Sequence, residues 1–184
     1  MLEVKIIKFL IQPPWKILIA TIICATFLIP VLCFSEELEI GHLFSIERSK
    51  NANVVHYHAQ LTPEVRLKPE KPAIAFWIMN ANSGEKEDLN WVEKKMAYGF
   101  SVEYDTKGDF WIMDLVADIQ RTIKIYKSNG KYRAEILIDG HPAFIDRIYI
   151  KSIEGGIRPK VEYMEFFGKG IKTGSNLYEK FIPV

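Results

Sequence analysis

Beyond Cys33 the 184-residue chain has no cysteine, and its only other cysteine, Cys24, lies in the same apolar N-terminal stretch. The remainder therefore has no internal disulfide, no thiolate nucleophile and no thiolate-held metal. It also lacks a long basic run with interleaved aromatics, and the formal net charge is only +1. Both points argue against a nucleic-acid surface. Internal repeats and low-complexity tracts are missing as well. A domain of roughly 150 residues buries close to 70% of its unfolded surface, so a core alone can hold it.

Specific chemical motifs are equally scarce. Ser128-Asn129-Gly130-Lys131 matches S-x-x-K in form, but it sits where a hairpin tip is predicted, with no pocket to desolvate the lysine. Gly155-Gly156 and Gly168-Lys169-Gly170 lack the spacing of a phosphate loop and read as turns. Acidic pairs such as Asp114/Asp118 and Glu162/Glu165 occur in any charged β-protein. Among the four histidines, His56 and His58 share one face of a predicted strand. Val55, Tyr57, Ala59 and Leu61 form its opposite, core-like face, so the two imidazoles are expected to face solvent. A two-histidine pair lacks the usual third protein ligand, and no metal, cofactor or catalytic residue is assigned.

What is present begins with an apolar run from Ile17 to Phe34 that carries no charge. Lys5, Lys8 and Lys16 precede it, and Glu36, Glu37 and Glu39 follow. That asymmetry predicts a cytoplasmic N-terminus and a C-terminal part carried across the inner membrane. Residues 1–35 read as a signal peptide, with Pro30 breaking the helix and Cys33 and Ser35 as small residues near a cut. The alternatives are a retained single-pass anchor with the domain outside, and a lipid-modified Cys33. Residues 36–184 read as one exported domain, periplasmic or secreted.

Short runs of Val, Ile, Tyr, Phe and Trp, punctuated by Gly, Asn, Asp and Pro, dominate that domain. They predict strands at Leu43–Arg48, Asn53–Leu61, Ala73–Asn80, Phe100–Tyr104, Asp109–Val116, Gln120–Lys127, Lys131–Asp139, Ala143–Lys151, Lys160–Phe167 and Asn176–Phe181. Asn129-Gly130 and Asp139-Gly140 suit tight hairpin turns. Glu85 to Tyr98 has helical spacing, with Leu89, Val92 and Met96 on one face. Ser83 or Asp88 is its expected start and Gly99 its expected C-cap. The expected fold is mainly β: an antiparallel meander forming a small barrel, complete or incomplete, with one helix. A two-layer β-sandwich is the alternative.

The stretch Glu47 to Asn53 is dense in hydrogen-bonding groups between apolar strands, which suits a bend or bulge. Read functionally, Arg48, Asn51 and Asn53 are polar contacts at a barrel mouth, joined by Glu93 and Tyr98. Tyr57 and Trp77 complete the candidate binding set. The leading expectation is a non-enzymatic binding or structural envelope module. Its partner would be a small apolar ligand, a lipid or an envelope protein, with the membrane itself if the first segment is uncleaved. The alternative is a hydrolase or isomerase using Arg48, Asn51, Asn53, Glu93 and Tyr98.

The segment Leu43 to Tyr57, the Pro72…Trp77-Ile78 strand and the Glu93…Ala97-Tyr98-Gly99 helix end together resemble an uncharacterised family of exported bacterial proteins, a domain of unknown function. Pro159 to Tyr163 and Thr173-Gly174 are similar to its closing strands. The resemblance implies a bacterial source and an envelope location. It implies no activity, cofactor or catalytic residue.

Overall fold

The computed structural model describes residues 41–49, 51–117, 121–153 and 160–183. The N-terminal apolar segment, the Gly155-Gly156 turn and the first residue of the Gln120–Lys127 strand lie outside the described residues. The described residues form eleven strands: β1 His42–Arg48, β2 Asn51–Ala59, β3 Ala73–Met79, β4 Glu85–Asp88, β5 Phe100–Asp105 and β6 Phe110–Leu115. Then follow β7 Ile123–Ser128, β8 Lys131–Ile138, β9 His141–Ile153, β10 Lys160–Gly170 and β11 Asn176–Phe181. A short helix, α1 (Trp91–Glu93), continues into a wide π-type turn at Lys94–Tyr98.

The chain makes two antiparallel meanders, β1 to β4 and β5 to β11, and their turns explain the sharp reversals. Asn129 and Gly130 both adopt positive φ (50° and 80°), as do Asp139 and Gly140 (50° and 73°). Such turns carry the twist of the flanking strands. The long strand β9 joins the two meanders. Ala143 and Phe144 pair with both β8 and β10, whereas Arg147 to Ile150 pair with both β1 and β10. A strand has two edges, so β8 and β1 share one edge of β9 and β10 takes the other. The β1·β9 pairing is parallel, a contact that a pure meander does not contain.

The sheet runs β4-β3-β2-β1-β9-β8-β7-β6-β5 and curls into an incomplete barrel. Its inner face carries Phe44, Ile46, Tyr57, Met113, Ile125, Ile138, Ile148 and Phe166, all at most 1% exposed. Each such side chain contributes about 1.5–3 kcal/mol relative to an exposed one. The end strands β4 and β5 have no ladder between them among the described residues. The 89–99 segment spans this seam instead. It is tied by the Val116 amide donating to the Gly99 carbonyl (2.8 Å) and the Tyr57 hydroxyl donating to the Tyr98 carbonyl (2.8 Å).

The expected helix is corrected here. Glu85 to Asp88 pair with β3 as an edge strand, because Ser83 and Gly84 turn the chain back with positive φ. The helix starts at Asn90, not Ser83 or Asp88. The Asn90 side chain accepts from the Glu93 amide (2.9 Å) and the Glu93 carboxylate accepts from the Asn90 amide (2.8 Å). This reciprocal pair is a capping box. Leu89 is buried ahead of the helix, while Val92 and Met96 are exposed, so the expected stripe does not face the sheet. Gly99 ends the segment in extended backbone; a Cβ there would lie 1.8 Å from the Lys94 carbonyl oxygen.

Candidate functional site

The predicted site residues divide into two groups. Arg48, Tyr57, Trp77 and Tyr98 converge at the seam. The Arg48 guanidinium lies 4.7 Å from the Tyr98 ring centroid, and the Trp77 and Tyr98 rings meet edge-on at 5.0 Å. Burial raises the Tyr98 phenol above its ordinary pKa, against the opposing pull of Arg48. Burial does the same to Tyr57, whose ring stacks on Phe44 at 4.5 Å. Asn51, Asn53 and Glu93 are instead engaged by backbone amides. The Asn51 side chain accepts from the Asn53 amide (2.9 Å), and the Asn53 side chain accepts from the Ala81 amide (3.1 Å). Glu93 closes the capping box.

Beside the converging group lies a groove of about 450 Å³. Alternation along β3 puts Ala73, Ala75 and Trp77 on the inner face, opposite Ala59, Tyr57 and Val55. The two alanines leave space that larger residues would fill. Leu89, Phe100 and Val116 form the apolar wall, and Lys71, Lys94 and Asp88 reach the rim. The volume falls in the range of small-molecule sites, about 300–1,000 Å³. A wider groove of about 1150 Å³ lies between the 66–69 loop and β5 to β8. Its phenols are already bonded within the chain: Tyr104 donates to Asp109 (2.6 Å), Tyr126 to Glu135 (2.7 Å), and Tyr132 accepts from the Leu67 amide (3.3 Å).

The histidines are arranged otherwise than the sequence suggests. His56 and His58 do share a face, but His58 is only 6% exposed. Both rings pack against buried Phe76, at 6.2 and 4.9 Å between centroids. A third imidazole, His42 of β1, joins them at 5.3 Å from His56 and 5.2 Å from His58. The cause is a bulge: His42 pairs with His58 and Phe44 with Tyr57, so Leu43 is an extra residue in β1. Regular alternation would have sent His42 inward with Phe44; the bulge turns it to the outer face. Burial, with the neighbouring His42, lowers His56 to about 4. Burial, then His42, His56 and Lys86, lowers His58 to about 3. Burial also lowers His42, partly offset by the charge of Asp146 on β9. All three are therefore neutral at pH 7, with lone pairs free to coordinate.

Fold and site together define a mainly β protein with, among the described residues, one short α-helix, an incomplete barrel and a groove at its seam. The chain belongs to the family described as a domain of unknown function, DUF4833, whose sequence model matches residues 44–180. No curated protein and no solved structure matches the chain.

Proposed function

We propose that this is an exported envelope module that holds a small amphipathic ligand, apolar in body and anionic at one end, in the seam groove. The observation that carries the reading is the groove itself: an alanine floor, an apolar wall and a rim where Lys71 and Lys94 outnumber Asp88. An apolar tail would lie on Ala73, Ala75 and Phe100, and an acid head would meet Lys71 and Lys94. A lipid or fatty-acid-like molecule has that chemistry. Three lysines before the apolar run and three glutamates after it support export, with the N-terminal segment either cleaved or kept as an anchor.

The test uses the full chain in mild detergent and a fluorescent anionic fatty acid as probe. Wild type is expected to bind saturably. Ala75→Trp fills the groove and is expected to lower affinity at least about tenfold, a loss of ~1.4 kcal/mol. Equal binding by the two proteins, at equal melting temperature, refutes the groove. Export is checked separately: protease added to intact spheroplasts should digest the domain.

A further inference from the structure

We propose that His42, His56 and His58 form a three-histidine site for a divalent transition metal of the zinc class, on the outer face of the β1–β2 pair. One ligand atom from each imidazole lies within 4.8 Å of the other two. A point equidistant from three atoms at that spacing is roughly 2.8 Å from each, against about 2.0–2.1 Å for a zinc–nitrogen bond. Closing the site thus asks less than ~1 Å of each ring, within reach of small side-chain rotations.

Two further observations point to a ligand. Nε2 of His58 and Nε2 of His42 are buried and have no hydrogen-bond partner. Buried polar atoms are nearly always satisfied, because an unmade bond costs about 1–3 kcal/mol. A cation coordinated through Nε2 of each ring would satisfy both nitrogens at once. The bulge at Leu43 is the second observation. It exists at the one position where it adds a third imidazole to a pair that alternation already supplies.

The donor set selects the metal. Three neutral imidazoles without thiolate or bound carboxylate suit zinc, and leave a fourth position for water or an anion. Phe76 beneath the rings supplies an apolar shell, and Asp146 is a carboxylate whose field already reaches His42. This site is on the opposite face of β2 from the seam groove, so either can fail without the other.

The experiment is calorimetric titration of Zn²⁺ alone into the full, tag-free chain, with X-ray absorption at the zinc edge. One zinc per chain is expected, with a first shell of three imidazole nitrogens. His56→Asn, at the less buried position, is expected to weaken binding roughly 100-fold or more, since even outer-shell losses cost 10–100-fold. Its metal-free melting curve should match wild type; His42→Asn is the second variant should it not. No saturable heat overturns the proposal. So does a shell containing sulfur, or wild-type affinity in both variants.

Discussion

Replacing Tyr57 by Phe removes one oxygen and leaves the rest of the barrel's inner face intact. The Tyr57 hydroxyl is fully buried and donates to the Tyr98 carbonyl at 2.8 Å, tying β2 to the segment that bridges the seam. The phenylalanine ring keeps the stacking on Phe44 and the edge contact with Phe100 at 5.8 Å. The loss is therefore the bond itself plus a buried carbonyl left without this donor, together about 1–3 kcal/mol. For a domain of this size each kcal/mol moves the melting midpoint by roughly 2–4 °C, so a fall of about 2–12 °C is expected. Tyr104→Phe is the control, because the Tyr104 hydroxyl bonds Asp109 on an exposed surface and its loss should cost under ~0.5 kcal/mol. Urea unfolding of both variants, with unchanged slopes, makes the comparison at constant exposed area. Faster amide exchange at Gly99 and Phe100 in Tyr57→Phe should accompany the loss. If the two variants are equally stable, the seam is not held by this bond and the reasoning fails.

Gly168→Ala places a Cβ 2.4 Å from the Phe144 carbonyl oxygen and 2.9 Å from the Ile138 side chain. Backbone cannot yield as a flexible side chain does, so a destabilisation of ~2 kcal/mol or more should appear in the urea midpoint. Asn90→Ala removes half of the capping box and should cost about 1 kcal/mol by the same assay. Glu179 accepts from Arg121 and from the Asp139 amide (2.5 Å), and the Arg121 bond chiefly lowers its pKa from 4.5. A lowered folded value means this stability is present in full above pH 4.5 and disappears as pH falls through the folded pKa. Glu179→Gln should flatten the pH dependence of the urea midpoint below 4.5 and leave its shape near pH 7 unchanged.

The strands were legible because their residue types and turns agree. Each of the ten sequence-predicted strands coincides with an observed one, and Asn129-Gly130 and Asp139-Gly140 take the positive φ expected of them. The missed strand is β4, whose four residues Glu85 to Asp88 are all charged and exposed. An edge strand with no buried face carries no apolar signal, and it borrows its order from the backbone bonds of β3. The same charges, read with Leu89, Val92 and Met96, imitate a helix start, so helical periodicity claimed residues that a Ser83-Gly84 turn delivers to the sheet.

The site was legible only where it follows alternation. Tyr57 and Trp77 lie on the same inner face of β2 and β3, where Val55 pairs with Trp77 and Tyr57 with Ala75, and period-two patterning already implies a shared apolar face. Arg48 and Tyr98 meet across the seam, a contact between strand and bridging turn that no local pattern encodes. Asn51, Asn53 and Glu93 have residue types suited to a ligand, yet their partners are backbone amides, within a few residues for Asn51 and Glu93 and in the turn after β3 for Asn53. Short polar side chains beside turns compete well for backbone groups, which makes them poor witnesses of function. The histidine face is the reverse case. A pair spaced i, i+2 announces two imidazoles on one face, and the third depends on whether β1 keeps strict register. One inserted residue decides it, since a slip of one carries a side chain from one face of a sheet to the other. In β1 the sign of that slip is four consecutive buried residues, Leu43 to Ile46, where a half-exposed strand should alternate. Two adjacent large apolar residues, Leu43-Phe44, directly after a histidine are thus themselves a reason to ask which way the histidine points.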